Sequence, residues 1–250
     1  MLVHTHEFYE DHAFDYFRST KDVDMTDLLT RFARLLPAGG SVLDVGCGSG
    51  RDLKWFRAQG FRAAGIDASE RLCALAREYA GPEVVVHCGS IQDWCAERHE
   101  SGNLSCEDPA DPAMMYDGIW ANASLLHLEE AALYEFFRTA AGRLLPGGVL
   151  YFSMKEDPED AVMMPEEARP GCGTWIEPDV SYMDRKGRYV RLLRDEDLAK
   201  LMGQMHEEFE MVDVWRTSDR MSRGVSWKNV ILKRIKSEEI AEPGIVRKVL

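Results

Sequence analysis

The chain has no apolar run near the roughly 20 residues that span a bilayer. Its first residues, Met1–Glu10, are polar and hold no apolar core of an export signal. Of its six cysteines (Cys47, Cys73, Cys88, Cys95, Cys106 and Cys172), no two form a C-x-x-C pair, and none stands at a metal-ligand spacing from histidine. The spacing therefore gives neither a disulfide framework nor a metal site, and the thiols read as reduced, in a soluble cytoplasmic protein. No internal repeat is visible. Positive charge is in deficit, 30 Lys and Arg against 43 Asp and Glu, for a net charge of −13. The deficit is local: residues 1–86 hold 10 basic and 13 acidic side chains, residues 87–184 hold 5 and 19, and residues 185–250 hold 15 and 11. Much of such a surface repels nucleic acid and anionic membranes, so neither is an expected partner. A local basic face is left open near the C-terminus, and the acidic excess otherwise reads as solvated loops.

What is present suits one α/β domain with decoration. The 250 residues are 45% hydrophobic and 29% charged, enough apolar content for a real core. Apolar positions Leu28, Leu29, Phe32, Leu35 and Leu36 predict a helix over Met25–Leu36, stopped at Pro37. Strands are expected at Ser41–Val45, Arg62–Ile66, Val84–Cys88, Tyr116–Ala121 and Val149–Met154. Helices are expected between them at Leu53–Gln59, Glu70–Ala80 and Glu129–Leu145, the last closed by Pro146-Gly147-Gly148. Strand–helix alternation with short connections implies a mostly parallel sheet covered by helices on both faces. Glu97–Ala113 reads as a polar surface loop. Glu156–Arg185 shows little periodicity and reads as an insertion or lid. A short strand at Arg188–Leu193, a helix at Asp195–Met205 and an antiparallel strand pair at Phe209–Arg216 and Ser226–Arg234 complete the chain. The expected organisation is one domain over residues 1–235, with an N-terminal helical cap (about 1–36), the insertion (about 156–185) and a tail (236–250).

The segment Val42-Leu-Asp-Val-Gly-Cys-Gly-Ser-Gly50 follows a strand and precedes a helix. Its glycines allow positive φ and close approach of backbone to a ligand. A pyrophosphate loop would carry G-x-G-x-x-G. This one is G-x-G-x-G with Asp44 two residues before the first glycine, an acid that would repel pyrophosphate. The acid suits a ligand with a cationic amino group and a sulfonium, and S-adenosylmethionine has both. Asp67 closes the second strand, 23 residues after Asp44. It can accept both ribose hydroxyls, or it can cap the next helix, as Ser69 equally can. The turn Gly89-Ser-Ile-Gln-Asp-Trp94 should border the adenine: Ile91 against its face, Ser90 or Gln92 at its amino group, Asp93 as a ligand or a helix cap. Ile119–His127 leaves the end of the fourth strand, where reacting groups should meet.

Asp44–Asp52, Gly65-Ile-Asp67, Tyr116–His127 and Leu145-Pro-Gly-Gly148 together resemble the class I S-adenosylmethionine-dependent methyltransferases. The strings G-C-G-S-G-R-D and G-I-W-A-x-A-S-L-L-H are similar to a bacterial subgroup related to the tellurite-resistance methyltransferases. The resemblance extends to Phe8–Thr20, Gly187-Arg-Tyr189 and Trp227-Lys-Asn229. It implies a Rossmann-like fold and cofactor contacts at Asp44, Gly46, Cys47, Gly48, Arg51, Asp67, Ala68, Ser90, Ile91, Ala121 and Asn122, with Tyr9 and Tyr16 folded over the cofactor's methionine end. The chain departs from the pattern at Ser90, where many relatives carry an acid, and in its long 157–184 segment.

Methyl transfer needs alignment of nucleophile, methyl and sulfur, and a general base only for a protonated nucleophile. His127 is the candidate base, or it packs the following helix. Lys155 either meets an acidic substrate group or is a solvated strand end. Arg188 and Tyr189, with Tyr9, form the candidate substrate cap, or brace the terminal strands. Trp227 reads as core. Arg51 pairs with the cofactor carboxylate or with an N-terminal acid. Met163, Met164 and Met183 line a pocket or sit in flexible loops. The expected acceptor is a small molecule, methylated at N, O, S or a metalloid. The alternatives are a tRNA or protein methyltransferase, or a cofactor-binding module without transfer activity.

Overall fold

The computed structural model describes residues 3–96, 115–156, 172–177, 181–184, 186–221 and 225–235. Three helices open the chain: α1 (Val3–Asp11), α2 (Ala13–Thr20) and α3 (Thr26–Ala33). Strand β1 (Ser41–Val45) is buried along its whole length, as a central parallel strand covered on both faces must be. Then follow α4 (Arg51–Ala58), β2 (Arg62–Asp67), α5 (Glu70–Ala80), β3 (Val85–Cys88) and α6 (Ile91–Ala96). After β4 (Tyr116–Asn122) a 3-10 turn (Leu125–His127) leads into α7 (Glu130–Arg143) and β5 (Leu144–Glu156).

The seven-stranded sheet has the order β3-β2-β1-β4-β5-β10-β9, where β9 is Phe209–Ser218 and β10 is Ser226–Arg234. Strands β1 to β5 pair in parallel, and β10 is antiparallel to both β5 and β9. The order turns back between β1 and β4. Ligands of open α/β sheets bind beyond the strand ends at such a point. One face is packed by Phe32 of α3, Phe56 of α4 and Ala76 of α5, with Trp120 stacked on Tyr151 at 3.9 Å between ring centres. The other face is packed by Trp94 of α6 and Phe136 and Phe137 of α7. Leu198 and Leu201 of α8 (Asp195–Gln204) join that second layer. Among the described residues no helix is long and apolar enough to cross a membrane.

Two expectations are corrected. The helix over Glu129–Leu145 ends at Arg143, because Leu144 already pairs with Tyr116. Pro146-Gly-Gly148 is absorbed into β5 as an irregularity, with Gly147 at φ +82° and the register shifting between Tyr116 and Gly118. The turn expected over Gly89–Trp94 gives way at Ile91 to α6.

The segment 156–185, expected to be irregular, contains β6 (Cys172–Glu177) and β7 (Ser181–Asp184). With β8 (Tyr189–Arg191) they form an antiparallel sheet of order β6-β7-β8. Its register slips twice along β6, which breaks the alternation that would reveal a strand. The expected loop at 97–113, Cys106, Met163, Met164 and the tail 236–250 lie outside the described residues.

Lys228 on β10 is fully buried. Its ammonium donates to the Leu193 carbonyl at 2.9 Å and pairs with Asp195 at 2.8 Å and Glu156 at 3.2 Å. Arg216 closes the cluster by pairing with the same two carboxylates. These charges fasten the entry of α8 to the ends of β5 and β10.

Candidate functional site

The glycine loop takes its shape from three left-handed residues, Gly46 (φ +76°), Gly48 (φ +54°) and Gly50 (φ +85°). Space is equally restrictive. A Cβ on Gly46 would lie 2.3 Å from Ser124 Cβ, and one on Gly50 would lie 2.9 Å from the Ala76 Cα. The loop is pinned to β2 through Gly46 and Cys47, whose N–H groups both donate to the Ile66 carbonyl, at 2.8 and 2.9 Å.

Asp67 at the end of β2 accepts from Gly48 N–H at 2.9 Å and from Ser69 N–H at 3.0 Å. Ser69 is the cap of α5, its Oγ accepting the Leu72 N–H at 3.1 Å. Burial raises the Asp67 carboxyl above its ordinary range despite those two donors. Asp44 is buried at the end of β1. Burial and then the Asp52 carboxylate push it well above the usual range, with Arg51 opposing. Asp44 is buried and Asp67 partly exposed, and in both desolvation is the first cause of the rise, so hydrogen-bond donors or positive charge from a ligand would favour their charged forms.

Asp52 is in the opposite condition. Burial pushes it up, but Arg51, Trp120 and Asn122 hold it below its ordinary value. Arg51 grips it through two bonds of 2.6 and 2.9 Å. Trp120 Nε1 donates at 2.9 Å and Asn122 Nδ2 at 3.3 Å. Arg51 thus pairs with its own neighbour in sequence and not with an N-terminal acid.

Three adjoining cavities lie along the switch point. One of about 30 Å³ is lined by Asp44, Cys47, Arg51 and Tyr16, among others. A second, of about 90 Å³, is lined by Gly46, Gly48, Asp67, Ala68, Ile91 and Gln92, among others. The third, of about 460 Å³, extends across the C-terminal end of β5 and the N-terminal end of the antiparallel β10, under α1 and α2. Tyr9, Tyr16, Asn122, Ala123 and His127 line both of the larger two, so these residues form the junction. Ala123 holds φ +55° there, the only non-glycine residue with positive φ among those described.

His127 donates from Nδ1 to the Tyr189 carbonyl at 2.6 Å and accepts the Tyr9 hydroxyl at Nε2, at 3.0 Å. Burial lowers the imidazole to about 4; the Tyr189 carbonyl works the other way, and Arg188 and Lys155 add to the fall. Tyr9 in turn accepts from Arg188 Nη1 at 3.1 Å. Asp184 holds Arg188 through Nε at 2.9 Å and Nη2 at 2.6 Å. Burial raises the Tyr9 hydroxyl, and Arg188 offsets part of that rise.

Among the other expected site residues, Lys155 and Arg188 line the large cavity. Tyr189 contributes backbone only: its side chain is buried and its N–H donates to Thr5 Oγ1 at 2.9 Å. Ser90 is not among the lining residues of these three cavities and forms a reciprocal cap with Asp93, Oγ to Oδ2 at 2.6 Å and Asp93 N–H to Oγ at 3.0 Å. Ala121 is buried within the ladder, opposite Phe152. Trp227, expected in the core, is partly buried against it and also lines the large cavity, with its Nε1 on Asp219 at 3.3 Å. Sequence reasoning missed His6 and Glu10. His6 Nε2 lies 3.1 Å from the Ala68 carbonyl, and Glu10 accepts the Ser69 hydroxyl at 2.6 Å, so α1 is clamped over the β2–α5 loop. Among the described residues no three His, Cys, Asp or Glu side chains are grouped to hold a metal ion.

This loop, carboxylate pair and sheet order define a methyltransferase fold. Residues 16–209 match the family described as a methyltransferase domain, and the chain belongs to that family. Among curated proteins, the dTDP-3-amino-3,6-dideoxy-alpha-D-glucopyranose N,N-dimethyltransferase of Streptomyces fradiae is 27% identical over 186 residues, 71% of this chain and 62% of that protein. The dTDP-4-amino-2,3,4,6-tetradeoxy-D-glucose N,N-dimethyltransferase of Saccharopolyspora spinosa is 41% identical over 59 residues, 24% of this chain and 23% of that protein. The matches thus span less than two thirds of these relatives. The crystal structure of Burkholderia thailandensis 1,6-didemethyltoxoflavin-N1-methyltransferase, with its substrate and S-adenosylhomocysteine bound, superposes with a TM-score of 0.63 at 20% identity. That match covers 92% of this chain and 85% of the other.

Proposed function

We propose that the protein is an S-adenosylmethionine-dependent methyltransferase acting on a small-molecule acceptor. The observation that carries the reading is geometric: Asp44 and Asp67 stand at the ends of adjacent strands and line adjoining cavities beside the glycine loop. The cavities fit the cofactor in further ways. Gln92 Oε1 and Ser124 Oγ are buried side-chain atoms without a hydrogen-bond partner among the described residues, and both residues line the 90 Å³ cavity. Two such orphans are costly unless a ligand satisfies them.

Asp67 would receive the ribose hydroxyls, exchanging the Gly48 and Ser69 N–H groups for them in part. Gln92 Oε1 would accept the adenine amino group, with Ile91 against the ring. Gln92 takes the role that Ser90, engaged in its cap, leaves. Asp44 would hold the ammonium group and Arg51 the carboxylate. Bound there, the cofactor supplies an already activated methyl group. The chain's part is alignment and dryness. Tyr9 and Tyr16, edge to face with ring centres 5.4 Å apart, close the junction from above. Asn122 is fixed from below by Asp52 and Ser153.

The large cavity under α1 and α2 suits a compact acceptor, and the relatives named as sugar N,N-dimethyltransferases support one. The strings Gly46–Asp52 and Gly118–His127 support a place beside the tellurite-resistance-type methyltransferases. Cys47, Cys73, Cys88 and Cys95 are free thiols, which suits a cytoplasmic location. We take residues 1–235 as one domain. Incubation with methyl-labelled cofactor and a metabolite extract tests the reading: label should enter small molecules, and Asp44→Asn should cut the rate at least about tenfold, the cost of one charge-assisted hydrogen bond. Label confined to RNA or protein fractions would overturn the acceptor class.

A further inference from the structure

Several polar atoms at and beside the junction have their hydrogens committed to fixed partners. The Tyr189 carbonyl can only accept, so His127 Nδ1, 2.6 Å away, carries the ring hydrogen and Nε2 carries the lone pair. Tyr9 therefore commits its single hydroxyl hydrogen to Nε2, while its oxygen accepts from Arg188. Ser153 repeats the logic on the sheet. Its Oγ accepts the Ala123 N–H at 2.9 Å, so its own hydrogen goes to Asn122 Oδ1 at 2.8 Å. Asn122 turns its amide nitrogen to Asp52. In the hydrogen bonds among the described residues, Tyr9 Oη, Ser153 Oγ and Asn122 Oδ1 each accept one hydrogen, which leaves one lone pair on each, and all three residues line the large cavity.

We propose that the methyl acceptor is a neutral primary or secondary amine, whose N–H groups are received by the lone pairs of Tyr9, Ser153 and Asn122. The inference rests on the methyltransferase reading above and names its substrate class. An alkoxide or phenolate would face the same lone pairs and be repelled. A hydroxyl would first have to lose its proton, and His127 has both ring nitrogens engaged. Its low pKa of about 4 makes it a poor base in any case. An ammonium ion has no lone pair to give to the methyl group, so the amine reacts in its neutral form. The nitrogen lone pair forms the new N–C bond as the S–C bond breaks and its electron pair returns to sulfur. The extra proton leaves the product ammonium for water on release. Tyr16 adds a hydroxyl on the cofactor side, next to Asp44 and Arg51.

The test uses the full chain saturated with S-adenosylhomocysteine, whose own binding is measured first by calorimetry. Matched probes are then titrated: benzylamine against benzyl alcohol, and glucosamine against glucose, at about pH 9.5, where the neutral amine is populated. The amine of each pair should bind at least about tenfold tighter than its alcohol. Tyr9→Phe should erase about tenfold of that preference, the loss of one hydrogen bond. Ser153→Ala should reduce it too, which guards against a folding defect in either variant. Alcohols binding as well as amines, or neither binding to the loaded protein, would overturn the inference alone. Failure to bind S-adenosylhomocysteine would overturn the reading beneath it, and this inference with it.

Discussion

Replacing Gly46 by alanine separates two constraints that the glycine loop combines. The residue sits at φ +76°, and its new Cβ would lie 2.3 Å from Ser124 Cβ. Gly60 offers the control: it sits at φ +85° with no atom within 4 Å of the added carbon. The left-handed conformation costs an L-residue about 1–2 kcal/mol, and the stiffer unfolded chain returns about 0.4–1 kcal/mol of that. Gly60→Ala should therefore cost about 1 kcal/mol. Gly46→Ala bears the same cost plus an overpacking cost of about 1–3 kcal/mol, because Ser124 is buried and follows Ala123, itself at φ +55°. For a chain of this length, each kcal/mol lowers Tm by about 2–4 °C. Melts followed by circular dichroism should show a loss of about 2–4 °C for Gly60→Ala and roughly 4–16 °C for Gly46→Ala. Only Gly46→Ala should also weaken S-adenosylhomocysteine, since Ser124 lines the cofactor cavity. Equal melting losses, or weakened binding in Gly60→Ala, would refute the claim that Ser124 sets the loop's tolerance.

Protonation of His127 should cost stability on the acid side. Its folded pKa of about 4 lies below the ordinary 6.5, so the unfolded chain binds the proton first. Stability should fall as pH drops from about 6.5 to about 4, by up to about 3 kcal/mol at 1.4 kcal/mol per pH unit; urea titrations should show this slope, and His127→Gln should flatten it. Lys228→Met should destabilise by about 2–4 kcal/mol, because it leaves Glu156 and Asp195 short of a partner and the Leu193 carbonyl without its donor. A urea midpoint unchanged from wild type would show that Arg216 alone satisfies the cluster.

Elements whose signals are local were legible in the sequence. The unbroken run Ser41–Val45 gives a central strand, and Glu70–Ala80 has its cap at Ser69 and its stop at Gly81. The choice between Ser69 and Asp67 as cap was not local, and the structure gives the hydroxyl to Leu72 and leaves Asp67 facing the cavity. The junction at Arg143 and Leu144 was misplaced because helical periodicity continues past the point where strand pairing takes over. Strands β6 and β7 escaped notice because slipped register blurs a period of two. Nothing local to Ser226–Arg234 marks Lys228 as buried, and only its partners Glu156, Leu193 and Asp195, distant in sequence, do so. The Tyr9–His127 and Tyr9–Arg188 bonds join residues 118 and 179 positions apart, so each residue could be nominated singly but their circuit could not.

If Asp67 holds the cofactor, calorimetric titration with S-adenosylhomocysteine should show it. The wild-type chain should bind one equivalent. Asp67→Ala removes two charge-assisted hydrogen bonds to the ribose, each worth about 1.5–3 kcal/mol, so affinity should fall about 100-fold or more. Asp67→Asn, which keeps an acceptor for the Gly48 or Ser69 N–H group, should lose less while holding the fold by circular dichroism. No binding to the folded wild type, or affinity unchanged in a folded Asp67→Ala variant, would contradict the account.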